Sequence, residues 1–273
     1  MIDVKPKFQA IVFIFATFII SAIEEYFIIR DSGMNDLLRI VAIMWTPGLI
    51  GFALALIFDR NLQSLGFKNP DWKSTIAAYC VPAVAAMLIV LLLIASRVAE
   101  FEIGEDLILK KGSVHLVLAQ ALLILPTMGV AVSFLSAIGE EIGWRGFLTS
   151  KLKELSFNKR NLIIGLIWSV WHWPLILFAN YASSEKPWVN VICFTVAVTS
   201  FSFFLGYLRS ISNSVFPAGL AHAGHNVWMQ AVIPVFYKAG PLVPYLGGES
   251  GLFCAIIYAA MALFIVRKYK LQN

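Results

Sequence analysis

Glu140, Glu141, Arg145, His172, His222 and Asn226 are the side chains that could do chemistry together. All of them lie within or beside apolar stretches, where an ionisable group is costly and by default marks a functional site. In Glu140-Glu141-Ile142-Gly143-Trp144-Arg145, Glu141 and Arg145 stand four residues apart with the acid first. That is the favourable order for an ion pair along one helix face. Glu140 then points about 100° around the helix and is free to act elsewhere. Two neighbouring carboxylates with one arginine leave one carboxylate unneutralised, as a general base requires. The competing reading of this motif alone is an ordinary interfacial charge cluster.

The histidines come from two further segments. His172 sits in Trp168-Ser169-Val170-Trp171-His172-Trp173-Pro174, about 18 Å along its helix from Arg160. By itself it is as readily a satisfied core residue as a functional one. His222 and Asn226 are four apart and share one helix face, with His222 about 12 Å from Ser214. Gly219 and Gly224 permit close helix approach. If the glutamate helix runs opposite to the two histidine helices, all three sets meet at a similar depth. His225 lies on an adjacent face, as a supporting partner or a bystander. Glu24-Glu25 with Arg30 looks similar at first sight. There the arginine is one residue too far for pairing and no intramembrane histidine is near, so this pair is expected to form a solvated helix end on the outer face.

The elements that must position these residues are membrane spans. Hydrophobic residues make up 59% of the 273-residue chain and charged residues 14%, against about 25% charged in a typical soluble domain. The apolar residues fall in blocks long enough to cross a bilayer. Eight spans are expected, near 8–29, 37–58, 75–95, 116–147, 161–180, 189–208, 214–236 and 252–266. The first is read as a retained helix rather than a cleaved signal. The fourth exceeds the length a span needs, and its charged last third is expected to run into the interface. The reading is an all-α, polytopic transmembrane helical bundle forming one domain over 1–273, with its catalytic core over about 116–236. Two thirds of the 21 Lys and Arg fall on the side of the termini. The positive-inside rule therefore puts both termini in the cytoplasm. A net charge of +5 sets topology here; no basic stripe is interleaved with exposed aromatics, so nucleic acid is not an expected partner. Cys80, Cys193 and Cys254 lack CxxC spacing and read as inert apolar-block residues.

Glu-Glu-x-x-x-Arg at 140–145, aromatic-x-x-x-His at Trp168 and His172, and His-x-x-x-Asn at His222 and Asn226 together resemble the CPBP family. That family covers the type II CAAX prenyl endopeptidases and bacteriocin-processing or immunity relatives. The order of the motifs and their placement on the fourth, fifth and seventh spans match; Trp168 stands where phenylalanine is usual. The resemblance implies an intramembrane endopeptidase in which Glu140 activates water, His172 positions it, and His222 and Asn226 stabilise the oxyanion. Glu141 and Arg145 would support them. No cofactor is favoured. Zinc on Glu140, His172 and His222 is the metal alternative, although no H-E-x-x-H signature accompanies it. The implied partner is a membrane-associated peptide or protein, with or without a prenyl group, met at the cytoplasmic face of a prokaryotic cell membrane. The alternatives are a catalytically silent binding or immunity protein of the same fold and, from another class, a small transporter. A transporter tends to show repeated halves, which this sequence lacks.

Overall fold

The computed structural model describes residues 5–31, 33–104, 113–182 and 184–272. Helix α1 covers Pro6–Asp31, α2 Leu37–Asp59, α3 Trp72–Ala95, α4 Val114–Lys151, α5 Phe157–Phe178 and α6 Pro187–Ser212. Helix α7 covers Phe216–Val227 and continues as a π turn, Trp228–Val232, and a 3-10 turn, Ile233–Phe236. Helix α8 covers Leu252–Gln272. Seven of these, all but α7, are long and apolar enough to cross a bilayer. Large apolar side chains such as Leu38, Leu91, Val132 and Phe264 stand exposed on them. Lipid satisfies such a surface and water does not, so the chain is an integral, multi-pass membrane protein.

Local chemistry starts and bends the helices where the sequence dictates. Asp36 caps α2 by accepting from the Arg39 amide at 3.2 Å. Asp71 caps α3 by accepting from the Ser74 amide at 2.9 Å. These bonds satisfy amide donors that a helix start leaves open. Phe13 of α1 packs on Phe147 near the end of α4, and Tyr269 of α8 stacks on Phe157 at the start of α5, so the described parts of both chain ends lie at the end of the bundle where α4 gives way to α5. At the other end a short antiparallel ladder pairs β1, Ala99–Phe101, with β2, Tyr237–Ala239. It ties the α3–α4 connection to the chain leaving α7. Lys110 and Lys111, part of the charge count above, lie outside the described residues.

The centre of the bundle is α4, which packs against α2 and α7, while α5 packs along α6 and α6 along α8. Every residue from Ala137 to Leu148 is buried. The charged last third of the fourth span is therefore packed inside the protein. Glycines make that possible. A Cβ on Gly139 would lie 2.8 Å from the Trp45 Cα, and one on Gly48 would lie 2.3 Å from the Gly139 carbonyl oxygen. Helices α2 and α4 therefore touch backbone to backbone directly beside Glu140, as small residues allow in membranes.

The first helix brings a correction. Glu25 is buried, not solvated, and Glu24 accepts a hydrogen bond from Thr46 Oγ1 at 2.7 Å. Thr17, Ser21 and Glu25 repeat every four residues and form a polar stripe on the inward face of α1. The sequence comparison with Arg30 missed this, because Arg30 turns instead to Asp31. Among the cysteines, Cys254 is buried, whereas Cys80 is exposed on the apolar surface of α3.

The Gly139 contact is testable against Gly224, where a Cβ would meet only Pro82 at an ordinary 3.7 Å. Gly139→Ala is expected to lower thermal stability in detergent by an overpacking cost of about 1–3 kcal/mol. Gly224→Ala should leave the melting temperature unchanged or raised.

Candidate active site

Helix α4 changes pitch at the motif. After Glu141 the segment Ile142–Leu148 is π-helical, and the Thr149 amide reaches back to the carbonyl of Trp144. Such widened turns recur at functional sites because they re-aim side chains within a helix. Arg145 and Glu141 nevertheless stay on one face, with Nη1 2.9 Å from Oε1. Both are buried, at 1% and 0% side-chain exposure. The same Glu141 oxygen lies 3.0 Å from His222 Nδ1 on α7. Glu141 is thus the joint between α4 and α7.

Glu140 faces α5. Its Oε2 accepts a hydrogen bond from the Trp168 indole Nε1 at 2.7 Å. Trp168 is the centre of the arrangement. Its ring centroid is 5.9 Å from that of His172 and 5.2 Å from that of His222, both edge-on. The Arg145 guanidinium carbon stands 4.2 Å from the same ring, close enough for a cation–π contact. One indole therefore holds the carboxylate, both histidines and the arginine in a single buried group.

The hydrogen bonds set the histidine tautomers. His172 Nδ1 lies 2.9 Å from the Trp168 carbonyl oxygen. A carbonyl only accepts, so Nδ1 carries the proton and Nε2 presents a lone pair. His222 Nδ1 faces a carboxylate and carries its proton in the same way. Asn226 is half-buried one turn beyond His222 and makes no side-chain hydrogen bond among the described residues. The structure thus brings Glu140, Glu141, Arg145, His172 and His222 together, with Asn226 on the neighbouring turn.

His225 belongs to a second group. Its Nδ1 lies 2.7 Å from the Tyr258 hydroxyl and its Nε2 lies 3.4 Å from Glu249. Glu249 also accepts from Gln230 Nε2 at 3.0 Å and from the Tyr181 hydroxyl. Burial opposes ionisation of Glu249. The hydrogen bonds from His225, Tyr181 and Gln230 outweigh it and hold its pKa below the ordinary carboxylate value. This latch fastens the α7–α8 connection over the site, because the Tyr181 ring stands 6.3 Å from His172. Tyr181, Gln230 and Glu249 also line a cavity of about 300 Å³. The cavity opens at the end of the bundle opposite the termini. Sequence reasoning missed Tyr181 and Glu249, because both lie in connections that carry no helical periodicity.

Each member of the zinc alternative has suitable donor chemistry, and both histidines have Nδ1 held in the way metal ligands usually are. As placed, however, no three His, Cys, Asp or Glu side chains among the described residues stand together in a metal-binding set.

With this geometry in place, the likeness to known proteins is specific to the site. Residues 122–228, which contain every residue of the site motifs, match the family model described as type II CAAX prenyl endopeptidase Rce1-like. A stretch of 47 residues is 43% identical to CAAX prenyl protease 2 of Methanococcus maripaludis. That stretch spans 17% of this chain and 17% of the relative's length. The segment that builds the site is thus similar to the type II CAAX prenyl endopeptidases.

Arg145 has the clearest energetic consequence. Arg145→Met leaves Glu140 and Glu141 buried with no arginine between them, and breaking such a pair costs about 3–5 kcal/mol. Thermal unfolding in detergent should show a large drop in melting temperature. An unchanged melting temperature would mean that the pair does not hold the site together.

Proposed function

We propose that this chain is an intramembrane endopeptidase that hydrolyses a peptide bond in a membrane-associated peptide or protein. The observation that carries the reading is the Trp168 indole, which fixes Glu140 between two histidines whose Nδ1 positions are already engaged. Glu140 takes a proton from water, and the resulting hydroxide attacks the peptide carbonyl carbon. His172 Nε2 accepts a hydrogen bond from the same water and aligns it. The carbonyl becomes an oxyanion. Asn226 donates to it, and His222 donates from Nε2 in its doubly protonated form, which the Glu141 carboxylate stabilises. A preorganised donor of this kind is worth about 3–4 kcal/mol in a dry site. Glu140 then passes its proton to the leaving amine as the C–N bond breaks. No Ser or Cys stands beside a base as a nucleophile in the described site, so the reading needs no covalent intermediate.

Two cavities bear on the substrate. The one lined by Tyr181 and Glu249 is separated from His172 by the Tyr181 ring, whose centroid is 6.3 Å from the imidazole, and suits the peptide chain. A second, of about 320 Å³, is walled by apolar side chains including Met87, Leu91, Leu122, Trp228 and Phe236. Trp228 belongs to this one and its neighbour Met229 to the first. An isoprenoid beside a peptide would have an apolar wall there, which supports a prenylated CAAX-type substrate. The sequence implies access from the cytoplasmic face, on the side of the termini, whereas the cavity lined by Tyr181 and Glu249 opens at the opposite end. Access side and orientation therefore form one joint proposal. It is resolved by adding peptide to one side only of vesicles whose orientation is fixed by a terminal tag.

The reading is tested by turnover of a farnesylated CAAX peptide and its unprenylated twin in liposomes, with and without 1,10-phenanthroline. Wild type should cleave the farnesylated peptide, Glu140→Ala should lose cleavage, and Asn226→Ala should lose about a hundredfold in kcat. Chelator resistance is expected for glutamate catalysis without metal. Full biological function retained by Glu140→Ala would instead favour a silent binding or immunity protein.

A further inference from the structure

The end of the bundle that carries the termini holds a larger concavity, of about 1020 Å³, away from the cavities just described. It lies where α2 ends at Asp59, α4 ends at Lys151 and α6 ends at Ser212. Its walls include Asp59, Lys68, Lys151, Lys153 and Arg209. Lys151 is buried and paired with Asp59, so those two charges cancel. Lys68, Lys153 and Arg209 remain, and none of the three has a carboxylate partner among the described residues. The concavity is thus a pocket with three uncompensated positive charges.

Its position names the ligand chemistry. The ends of the apolar helices α2, α4 and α6 meet here, where a span passes into the headgroup region, and Phe67 in the pocket wall and Trp72 at the start of α3 stand exposed as interfacial aromatics do. Basic pockets between helix ends at this depth suit phospholipid headgroups. Arg209 is held in place for the task. Its Nε donates to the carbonyl oxygen of Arg145 at 3.1 Å. Its guanidinium packs against Gly66, which has a φ of +80° and where a Cβ would lie 2.6 Å from Nη2. The turn at Gly66 is fixed in turn, since its carbonyl accepts from the Val215 amide at 3.0 Å. A guanidinium oriented in this way is suited to two-point binding of phosphate.

We propose that this pocket binds the phosphate of an anionic phospholipid headgroup, with Arg209, Lys68 and Lys153 as its cationic ligands. Because Arg209 also holds the Arg145 backbone, lipid bound there braces the turn of α4 that follows the glutamates. The site stands independently of the peptidase reading.

The test is lipid binding by the purified full chain, read by native mass spectrometry and by melting temperature. The probes are phosphatidylglycerol, phosphatidylcholine and inorganic phosphate. Phosphatidylglycerol should be retained and should raise the melting temperature, and phosphatidylcholine should do neither. Lys68→Gln/Lys153→Gln should weaken phosphatidylglycerol binding about tenfold. Lys5→Gln/Lys7→Gln, at the same end but outside the pocket, should leave it unchanged. Equal binding of both lipids, equal loss in the two double variants, or a full shift with inorganic phosphate alone would overturn the assignment.

Discussion

A buried arginine shared between two partners is the constraint on which the rest depends. Arg145 has no access to solvent, so its charge must be met within the protein. Glu141 meets it through a hydrogen-bonded ion pair and the face of Trp168 meets it through the ring. Each partner is then committed elsewhere. Glu141 reaches His222 and so fixes α7 against α4. Trp168 reaches Glu140 and so fixes α5 against α4. Three helices are locked by one guanidinium, and the group they enclose contains the residues proposed for catalysis.

This explains why two adjacent glutamates need not have the same work. Glu141 has its Oε1 taken by Arg145 and His222. Glu140 receives a single neutral donor at Oε2. Glu141 is part of the frame through Oε1, with its Oε2 sealed in without a partner, whereas Glu140 is tied only through Trp168 and is the carboxylate proposed to take the proton. Burying both is possible only because α2 and α4 approach through Gly48 and Gly139, which closes the site to lipid on that side. The Glu249 latch closes the opposite end of the bundle over His172.

Much of this was legible in the sequence, for physical reasons. Apolar blocks reveal spans because lipid demands them. Spacings of four residues reveal the Glu141–Arg145 pair and the shared face of His222 and Asn226, because helix geometry is fixed. Alternating direction places Glu140, His172 and His222 at compatible depth. Helix rotation is not written in any such rule. It took the structure to show that Trp168, noted only as an aromatic, donates to Glu140. Glu25 was misread for a related reason: the side of α1 that faces the bundle is set by packing, not by the distance to Arg30. Glu249 was invisible because a glycine-rich connection gives no periodicity to read. The matched segment, 122–228, ends before Glu249.

The most direct measurement is turnover and melting temperature side by side for Glu140→Gln and Glu141→Gln. The substitution is the same and the positions are adjacent, so only their environments differ. The account predicts that Glu140→Gln keeps its melting temperature and loses turnover, while Glu141→Gln loses melting temperature as its ties to Arg145 and His222 weaken. Stability lost at Glu140 and kept at Glu141, or equal turnover in the two variants, would contradict it.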